Sequence, residues 1–123
     1  MKKIIAMLMG VLFITGCAAS GDAKEDQFDA VKEKGEGVVG LDDTFVPMGF
    51  RDETGELTGF DVDLAKEIFN RIGITPKFQA IDWSLKESEL NNGNIDLIFN
   101  GYTITKERQE KVNFSDPYMD NTQ

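Results

Sequence analysis

The feature that most constrains this chain is an alternation of short apolar strands with amphipathic helices. The clearest helix is predicted over residues 61–72, where apolar side chains recur at helical spacing and form one stripe: Val62, Ala65, Ile68, Phe69 and Ile72. Gly73 is suited to end this helix, and Pro76 prevents its continuation. The apolar run at residues 95–99 is typical of a strand that is covered on both faces.

Further segments complete the alternation. The pattern predicts helices at residues 28–34 and 84–90 and from Thr105, and strands at residues 38–41, 50–52, 57–58, 75–81 and near 112–114. Residues 42–49 are expected to form a loop, and the strands on either side of Gly55 a hairpin. This order favours an α/β fold, a mostly parallel sheet with helices on both faces. Ligands bind such sheets beyond the carboxyl ends of the strands, which here lead into residues 42–48, 81–84 and 100–103.

Arg108 follows the last of these loops. Thr105 is expected to be the N-cap of a short helix, so Arg108 falls in the first turn, where the helix dipole disfavours a cation by a few tenths of a kcal/mol. A cation held there, beside free amides at a strand end, is well arranged to receive a carboxylate through two parallel hydrogen bonds. The alternative is a surface arginine on a solvated helix.

Composition excludes several classes of function. The 123 residues allow one small domain, and 13 Lys and Arg against 22 Asp and Glu give a net charge of −9, which argues against nucleic acid as a partner. The sequence has no His, the commonest general base and metal ligand, and its single Cys allows no internal disulfide. We therefore expect no metal, no cofactor and no catalytic residue.

The first residues form a targeting segment. Lys2 and Lys3 precede an apolar stretch at residues 4–13 that is too short to span a bilayer. Residues 14–17 end in Cys17 and resemble the lipobox of bacterial lipoproteins, which implies a signal peptide at residues 1–16 and a lipid on Cys17. The alternative is an ordinary secretory signal with a chance cysteine. Residues 17–27 are then expected to be the lipidated cysteine and a flexible tether.

Five motifs carry a resemblance to a known family. They lie in order at residues 39–47, 57–65, 94–98, 103–108 and 114–118. In these motifs the chain resembles the N-terminal lobe of the bacterial extracellular solute-binding proteins of family 3, the type 2 periplasmic amino-acid-binding proteins of ABC importers. The resemblance implies that residues 28–123 are the first lobe of a two-lobe fold, with the second lobe absent.

The resemblance also implies the contacts to a free amino acid. Arg108 is expected to bind the α-carboxylate, with the backbone amide and hydroxyl of Thr103 beside it. The carbonyl of Asn100 or Gly101 is expected to accept a hydrogen bond from the α-ammonium group.

The ligand's side chain is expected to lie between Phe45 and Trp83, with Asp42 near a polar or charged tip. Met48 stands where the family often has an aromatic residue. Structural alternatives remain open: Phe45 in the core, Trp83 as a partly exposed anchor, and Asp42 as the cap of a turn.

Four other conspicuous residues have structural interpretations. Asp61 and Asp63 are interpreted as acids at the start of a helix. Tyr102 and Tyr118 are interpreted as packing residues.

The family's activity implies a lipid-anchored substrate-binding component on the extracytoplasmic face of the cell membrane, with ABC permease subunits as partners. The alternatives are a cyclohexadienyl-dehydratase-like enzyme and a sensory or adhesive surface module on the same fold. Half of a cleft leaves the carboxylate–Arg108 pair screened by water, so we expect binding on the order of millimolar or weaker. An exposed sheet edge that favours association is also expected.

Overall fold

The computed structural model describes residues 26–121. The predicted signal peptide at residues 1–16, the lipidation site Cys17 and nearly all of the tether lie outside the described residues. Within residues 26–121, no helix combines the length and the apolar character that a membrane crossing requires.

Helices and strands alternate along the described chain. The helices are α1 (Phe28–Lys34), α2 (Phe60–Ile72), α3 (Lys86–Asn91) and α4 (Lys106–Gln109), and a 3-10 turn at Trp83–Leu85 precedes α3. The strands are β1 (Glu36–Leu41), β2 (Thr44–Phe45), β3 (Gly49–Arg51), β4 (Leu57–Thr58), β5 (Thr75–Ala80) and β6 (Leu97–Ile98).

The main sheet has the order β5-β1-β6, and both pairings are parallel. From β1 the chain passes through α2 to β5 on one side, and from β5 it returns through α3 to β6 on the other side. Because such crossovers are right-handed, the reversal of direction places α2 and α3 on opposite faces. Contacts of α2 with β5 and of α3 with β6 agree with this arrangement. The predicted α/β fold class is confirmed.

The core lies between β1 and α2. Val39 and Leu41 point to this face and are fully buried, and Val39 packs with Phe69 and Ile74. A side chain at Gly37 would begin 2.5 Å from Cε1 of Phe69, so the ring itself takes the place of a side chain on the strand. Of the predicted stripe, Val62, Ala65 and Phe69 are buried in this core, whereas Ile68 and Ile72 are 39% and 40% exposed.

The amino end of α2 is held by backbone carbonyls rather than by a side chain. The N–H groups of Phe60 and Asp61 donate to the carbonyls of Pro47 and Met48, each at 2.9 Å. Gly59 permits this close approach, since its φ is +129° and a Cβ there would lie 2.4 Å from the Met48 carbonyl oxygen. Two orphan amides of the helix are thereby satisfied.

Several predicted elements differ in extent. The predicted loop at residues 42–49 contains β2, which pairs with β3 and extends the expected hairpin into a three-stranded antiparallel sheet. The strand predicted at residues 95–99 is reduced to β6, and the helix predicted from residue 84 begins with the 3-10 turn.

The strand predicted near residues 112–114 is wrong. Val112 instead donates its N–H to the carbonyl of Arg108 at 3.0 Å and is buried. Val112 is apolar because it is buried in the turn that follows α4, and it is not part of a sheet.

Replacing Gly59 by Ala tests the docking of α2 on the β2–β3 turn. We expect G59A to lower the free energy of unfolding by about 2–6 kcal/mol, since a backbone conformation open almost only to glycine costs about 1–3 kcal/mol and a clash about 1–3 kcal/mol. The matched control is G55A, because Gly55 has φ +85° but nothing within 4 Å of its Cβ position. Urea unfolding measures both variants, and equal losses would show that no steric contact operates at Gly59.

Candidate functional site

The site lies where β1 and β6 end side by side. These neighbouring parallel strands stand where the order of the sheet reverses direction. In sheets of this type, the chains that leave two such strands separate and open a crevice beyond their carboxyl ends. Asp42 follows β1 directly, and Asn100 follows β6 after one further residue.

The Asn100 side chain holds the two strand ends together. Its Oδ1 accepts a hydrogen bond from the Asp42 N–H at 3.2 Å, and its Nδ2 donates to the Asp42 carbonyl at 3.3 Å. The bond from the Phe99 N–H to the Gly40 carbonyl, at 3.1 Å, precedes this pair. The amide therefore continues the parallel ladder where backbone pairing stops. Asn100 is 2% exposed, and these bonds satisfy a polar group whose burial would otherwise be costly.

The carboxylate of Asp42 caps the turn that follows β1. Its Oδ1 accepts hydrogen bonds from the Thr44 N–H at 2.8 Å and from the Thr44 hydroxyl at 2.7 Å. This is the capping role that the sequence left open as an alternative. The expected contact of Asp42 with a ligand stays a prediction.

Arg108 packs against the rim of the crevice. The Thr105 hydroxyl accepts a hydrogen bond from the Arg108 N–H at 3.2 Å, which confirms the predicted N-cap of α4. Nη1 of the guanidinium donates to the Thr103 carbonyl at 2.8 Å, and Cζ lies 4.7 Å from the ring centroid of Tyr102. Between residues 26 and 121, Arg108 forms no salt bridge with a carboxylate. A half-buried cation thus stands at the strand ends without an anionic partner.

Phe45 is 45% exposed, so the interpretation of this residue as core is wrong. Its ring covers Gly101, where an added Cβ would lie 3.1 Å from Cε1 of Phe45, and Gly101 also has φ +57°. The positive φ favours glycine there, and an added Cβ would displace the exposed Phe45 ring by a few tenths of an ångström. Trp83 is half-buried and meets Tyr102 edge-on, with ring centroids 5.5 Å apart.

All seven residues predicted to contact a ligand line one broad depression that is open to solvent. They are Asp42, Phe45, Trp83, Asn100, Gly101, Thr103 and Arg108. Thr103 lies beside Arg108, and its hydroxyl accepts a hydrogen bond from Nδ2 of Asn121 at 2.5 Å. Direct contacts join Asp42 to Asn100 and Arg108 to Thr103, and Phe45 lies over Gly101, while contacts to a ligand remain predictions.

The sequence analysis missed a polar group beneath Tyr102. The Tyr102 hydroxyl donates to Oε1 of Glu87 at 2.6 Å, and Nζ of the buried Lys86 lies 5.1 Å from the ring centroid of Trp83 and 5.6 Å from that of Tyr102. Burial and this hydrogen bond raise the pKa of Tyr102. Burial opposes ionisation of Glu87, but the hydrogen bond from Tyr102 and the charge of Lys86 outweigh it, so the pKa of Glu87 is lowered. The sequence signal for this group was that Lys86 and Glu87 lie three and four residues after Trp83, which places all three side chains close together on a helical segment.

Asp61 is a second residue that the sequence concealed. It lies in the first turn of α2, as predicted, but it is 1% exposed. Its Oδ1 accepts a hydrogen bond from the Tyr118 hydroxyl at 2.7 Å, while its Oδ2 is buried without a hydrogen-bond partner. Burial raises the pKa of Asp61, although the Tyr118 hydroxyl and the nearby Gly101 N–H oppose the shift. In the described part of the chain, no group of three or more His, Cys, Asp or Glu residues could hold a metal ion.

Comparison with known proteins gives one family. The sequence model of the bacterial extracellular solute-binding proteins, family 3, matches residues 38–123. The L-cystine-binding protein TcyJ of Escherichia coli K12 is 33% identical over 117 residues, which are 95% of this chain and 44% of that protein. The chain therefore spans less than half the length of this relative.

Solved structures share the fold. One is a substrate-binding protein of an ABC uptake transporter from Streptococcus pneumoniae, with bound histidine. It is 51% identical with a TM-score of 0.74, and the match covers 76% of this chain and 38% of that protein's chain. The arginine-bound form of domain 1 of TmArgBP, from T. maritima, is 46% identical with a TM-score of 0.72, and the match covers 75% of this chain and 73% of that one. An ancestral cyclohexadienyl dehydratase is 37% identical with a TM-score of 0.73, and the match covers 77% of this chain and 39% of the dehydratase chain.

The buried carboxylate of Asp61 predicts a pH-dependent difference in stability. Because its pKa is raised in the folded state, the contribution of Asp61 is favourable below its ordinary value of 3.8 and is lost as the pH rises through the folded value. We expect D61N, which keeps an oxygen acceptor for Tyr118, to gain stability relative to the parent chain as the pH increases from about 4 to 7. Urea unfolding at several pH values measures the difference.

Tyr118→Phe serves as the companion variant. It removes a hydrogen bond that stabilises the ionised carboxylate, so the loss of stability with rising pH should become larger. A difference between D61N and the parent that stays constant with pH would contradict the assignment of Asp61 as a buried ionisable group.

Proposed function

This chain belongs to family 3 of the bacterial extracellular solute-binding proteins, and on that premise we propose that it serves an ABC importer as part of its amino-acid-binding component. The observation that carries the proposal is the position of Arg108. Arg108 is half-buried against the loop that follows β6, and no carboxylate within residues 26–121 forms a salt bridge with it. An amino acid supplies the missing anion.

The α-carboxylate would bind across the guanidinium of Arg108. One N–H is already directed to the Thr103 carbonyl, and the remaining donors can form the paired bonds that Arg makes with carboxylates. The amide of Thr103 would add a third donor. The α-ammonium group would donate to the carbonyl of Asn100 or Gly101, on the loop that the Asn100 side chain fixes to β1.

Phe45 and Trp83 would enclose the ligand's side chain from two sides. Phe45 is on β2 and Trp83 is in the 3-10 turn after β5, so two different elements supply the walls. Asp42 would face a polar tip, which favours a polar amino acid. Its Oδ1 already accepts two hydrogen bonds from Thr44, so a ligand contact would use Oδ2.

Affinity is expected to be weak. An arginine–carboxylate pair in a depression open to water contributes about 1 kcal/mol or less, which places the dissociation constant on the order of millimolar or above. The arginine-bound structures of TmArgBP domain 1 support the idea that a first lobe alone can hold an amino acid.

A dehydratase is the second candidate, because an ancestral cyclohexadienyl dehydratase is among the similar structures. Such an enzyme needs an acid in the crevice. The carboxylate nearest to the expected ligand tip, Asp42, has Oδ1 held by Thr44 and would present Oδ2 to a bound ligand or to a substrate alike. Incubation with prephenate and with arogenate distinguishes the two candidates, because only a dehydratase would convert them into the products of water loss.

Anchoring by lipid completes the proposal. Residues 1–16 would be removed as a signal peptide, and two acyl chains on Cys17 would hold the protein on the extracytoplasmic face of the membrane. Residues 18–27 would then be the tether, and permease subunits would receive the ligand there.

Replacing Arg108 tests the carboxylate contact. At 10 mM of an amino acid with a dissociation constant of about 1 mM, ligand binding should raise the free energy of unfolding by about 1.4 kcal/mol. We expect R108A to abolish this increase for L-histidine and L-arginine, and R108K to retain only part of it, since Lys lacks the paired donors.

The control for this test is R71A. Arg71 is exposed on α2 and pairs with Glu67, so its removal changes the net charge equally but does not touch the depression. Denaturant unfolding with and without ligand measures all variants. Full retention of the ligand effect in R108A would contradict the proposal.

Replacing Cys17 tests the anchor separately. In a bacterial host we expect the parent chain in the membrane fraction, with an N-terminal Cys17 whose mass includes a diacylglyceryl group. We expect C17S to lose that mass and to leave the membrane fraction. Mass spectrometry of intact protein decides, and a parent chain without lipid would overturn the anchoring proposal while leaving the binding proposal untouched.

A further inference from the structure

Tyr102 lies beside the depression, and two cations, Lys86 and Arg108, lie close to its ring. One ring contact is with the Arg108 guanidinium, whose Cζ lies 4.7 Å from the ring centroid, and Nζ of Lys86 lies 5.6 Å from that centroid. The ring also meets Trp83 edge-on and lies 5.1 Å from Phe114, centroid to centroid. Its position is thus fixed by four neighbours.

The Tyr102 hydroxyl is anchored at the other end. It donates to Oε1 of Glu87 at 2.6 Å, and Oε2 of Glu87 lies 3.4 Å from Nζ of Lys86. Lys86 in turn donates to the Trp83 carbonyl at 3.1 Å. Tyr102 is therefore tied to the helical segment that begins at Trp83, and it cannot adopt another χ1 rotamer without breaking a charge-assisted hydrogen bond.

We propose that Tyr102, anchored by Glu87, is the positioning residue that holds the Arg108 guanidinium ready for the ligand's carboxylate. This inference rests on the proposed function and names how its principal contact is organised. Arg108 is restrained by the face of the ring and by the Thr103 carbonyl, so ordering of its long side chain precedes binding.

The arrangement also keeps the cation available. A direct salt bridge to Glu87 would occupy the donors of Arg108 that a carboxylate needs. The carboxylate instead accepts from the Tyr102 hydroxyl and polarises the ring, which strengthens attraction of the guanidinium to the ring face. Negative charge from Glu87 thus acts on Arg108 through Tyr102 and leaves its N–H groups to the ligand.

A structural role alone predicts something different. If Tyr102 only filled space, the guanidinium of Arg108 would keep its orientation over the ring when the bond from Tyr102 to Glu87 is removed. The Nε–Hε signal of Arg108 in a proton–nitrogen spectrum reports this orientation, since a proton above an aromatic ring is shifted upfield. The Arg108 signal is identified as the Nε–Hε signal that is missing from the spectrum of R108K, since Lys lacks this group.

The experiment compares Y102L, Y102F and E87Q with the parent chain. Y102L should weaken L-histidine binding about tenfold, and because it lacks the ring, the spectrum is read from the two variants that keep it. Y102F keeps the ring face but loses the bond to Glu87, so a downfield shift of the Arg108 signal and an affinity loss of about twofold to threefold are expected. E87Q should resemble Y102F, and both variants remain informative if Y102L fails to fold.

Tyr118→Phe is the matched control for the spectrum. It also removes a tyrosine hydroxyl from a carboxylate, that of Asp61, but no ring contact joins Tyr118 to Arg108 in the described residues. The Arg108 signal should stay in place in this variant.

The outcomes separate the two proposals. A parent chain that binds no amino acid refutes the proposed function, whereas the Arg108 signal still tests the positioning. Histamine, which lacks the carboxylate, should bind the parent and Y102L equally. Unchanged Arg108 signals in both Y102F and E87Q, together with an unchanged histidine affinity in Y102L, or in both of the other variants if Y102L is unfolded, would overturn the role of Tyr102.

Discussion

The parallel pairing of β1 with β6 is the constraint on which the rest of the site depends. Its backbone ladder is short, and the buried amide of Asn100 extends it by two hydrogen bonds to the Asp42 backbone. That extension fixes the start of two loops at once. One loop starts at Asp42 and carries Phe45, and the other starts at Asn100 and carries Gly101. Because the two starting residues are hydrogen-bonded to each other, the Phe45 ring lies over Gly101.

Electrostatics then gives the crevice its chemical character. The chain carries a net charge of −9, yet the cation at the crevice has no salt bridge within residues 26–121. The acids closest to Arg108 are engaged by other donors: Glu107 with Lys111 at 2.9 Å, and Glu87 with Tyr102 and Lys86. Because these carboxylates are held by other donors, the guanidinium of Arg108 stays available to an anion from solution.

Sequence alone was sufficient for the features that periodicity and local chemistry control. The stripe on α2, the N-cap at Thr105 and the strand–helix–strand order could be predicted because each depends on residues close together in the chain. β2 could not be predicted, since its two residues form a strand only by pairing with β3. The roles of Asp61 and Glu87 depend on Tyr118 and Tyr102, which lie 57 and 15 residues away, and an acid in a helix gives no sign of such a partner.

The most direct test of the account is a crystal structure of this chain with L-histidine bound at high concentration. The account predicts the ligand's carboxylate across the Arg108 guanidinium, with two N–H···O bonds of about 2.7–2.9 Å. It also predicts that the Tyr102 ring stays beneath the guanidinium. A carboxylate directed to solvent, or a ligand bound away from the ends of β1 and β6, would contradict the central claim.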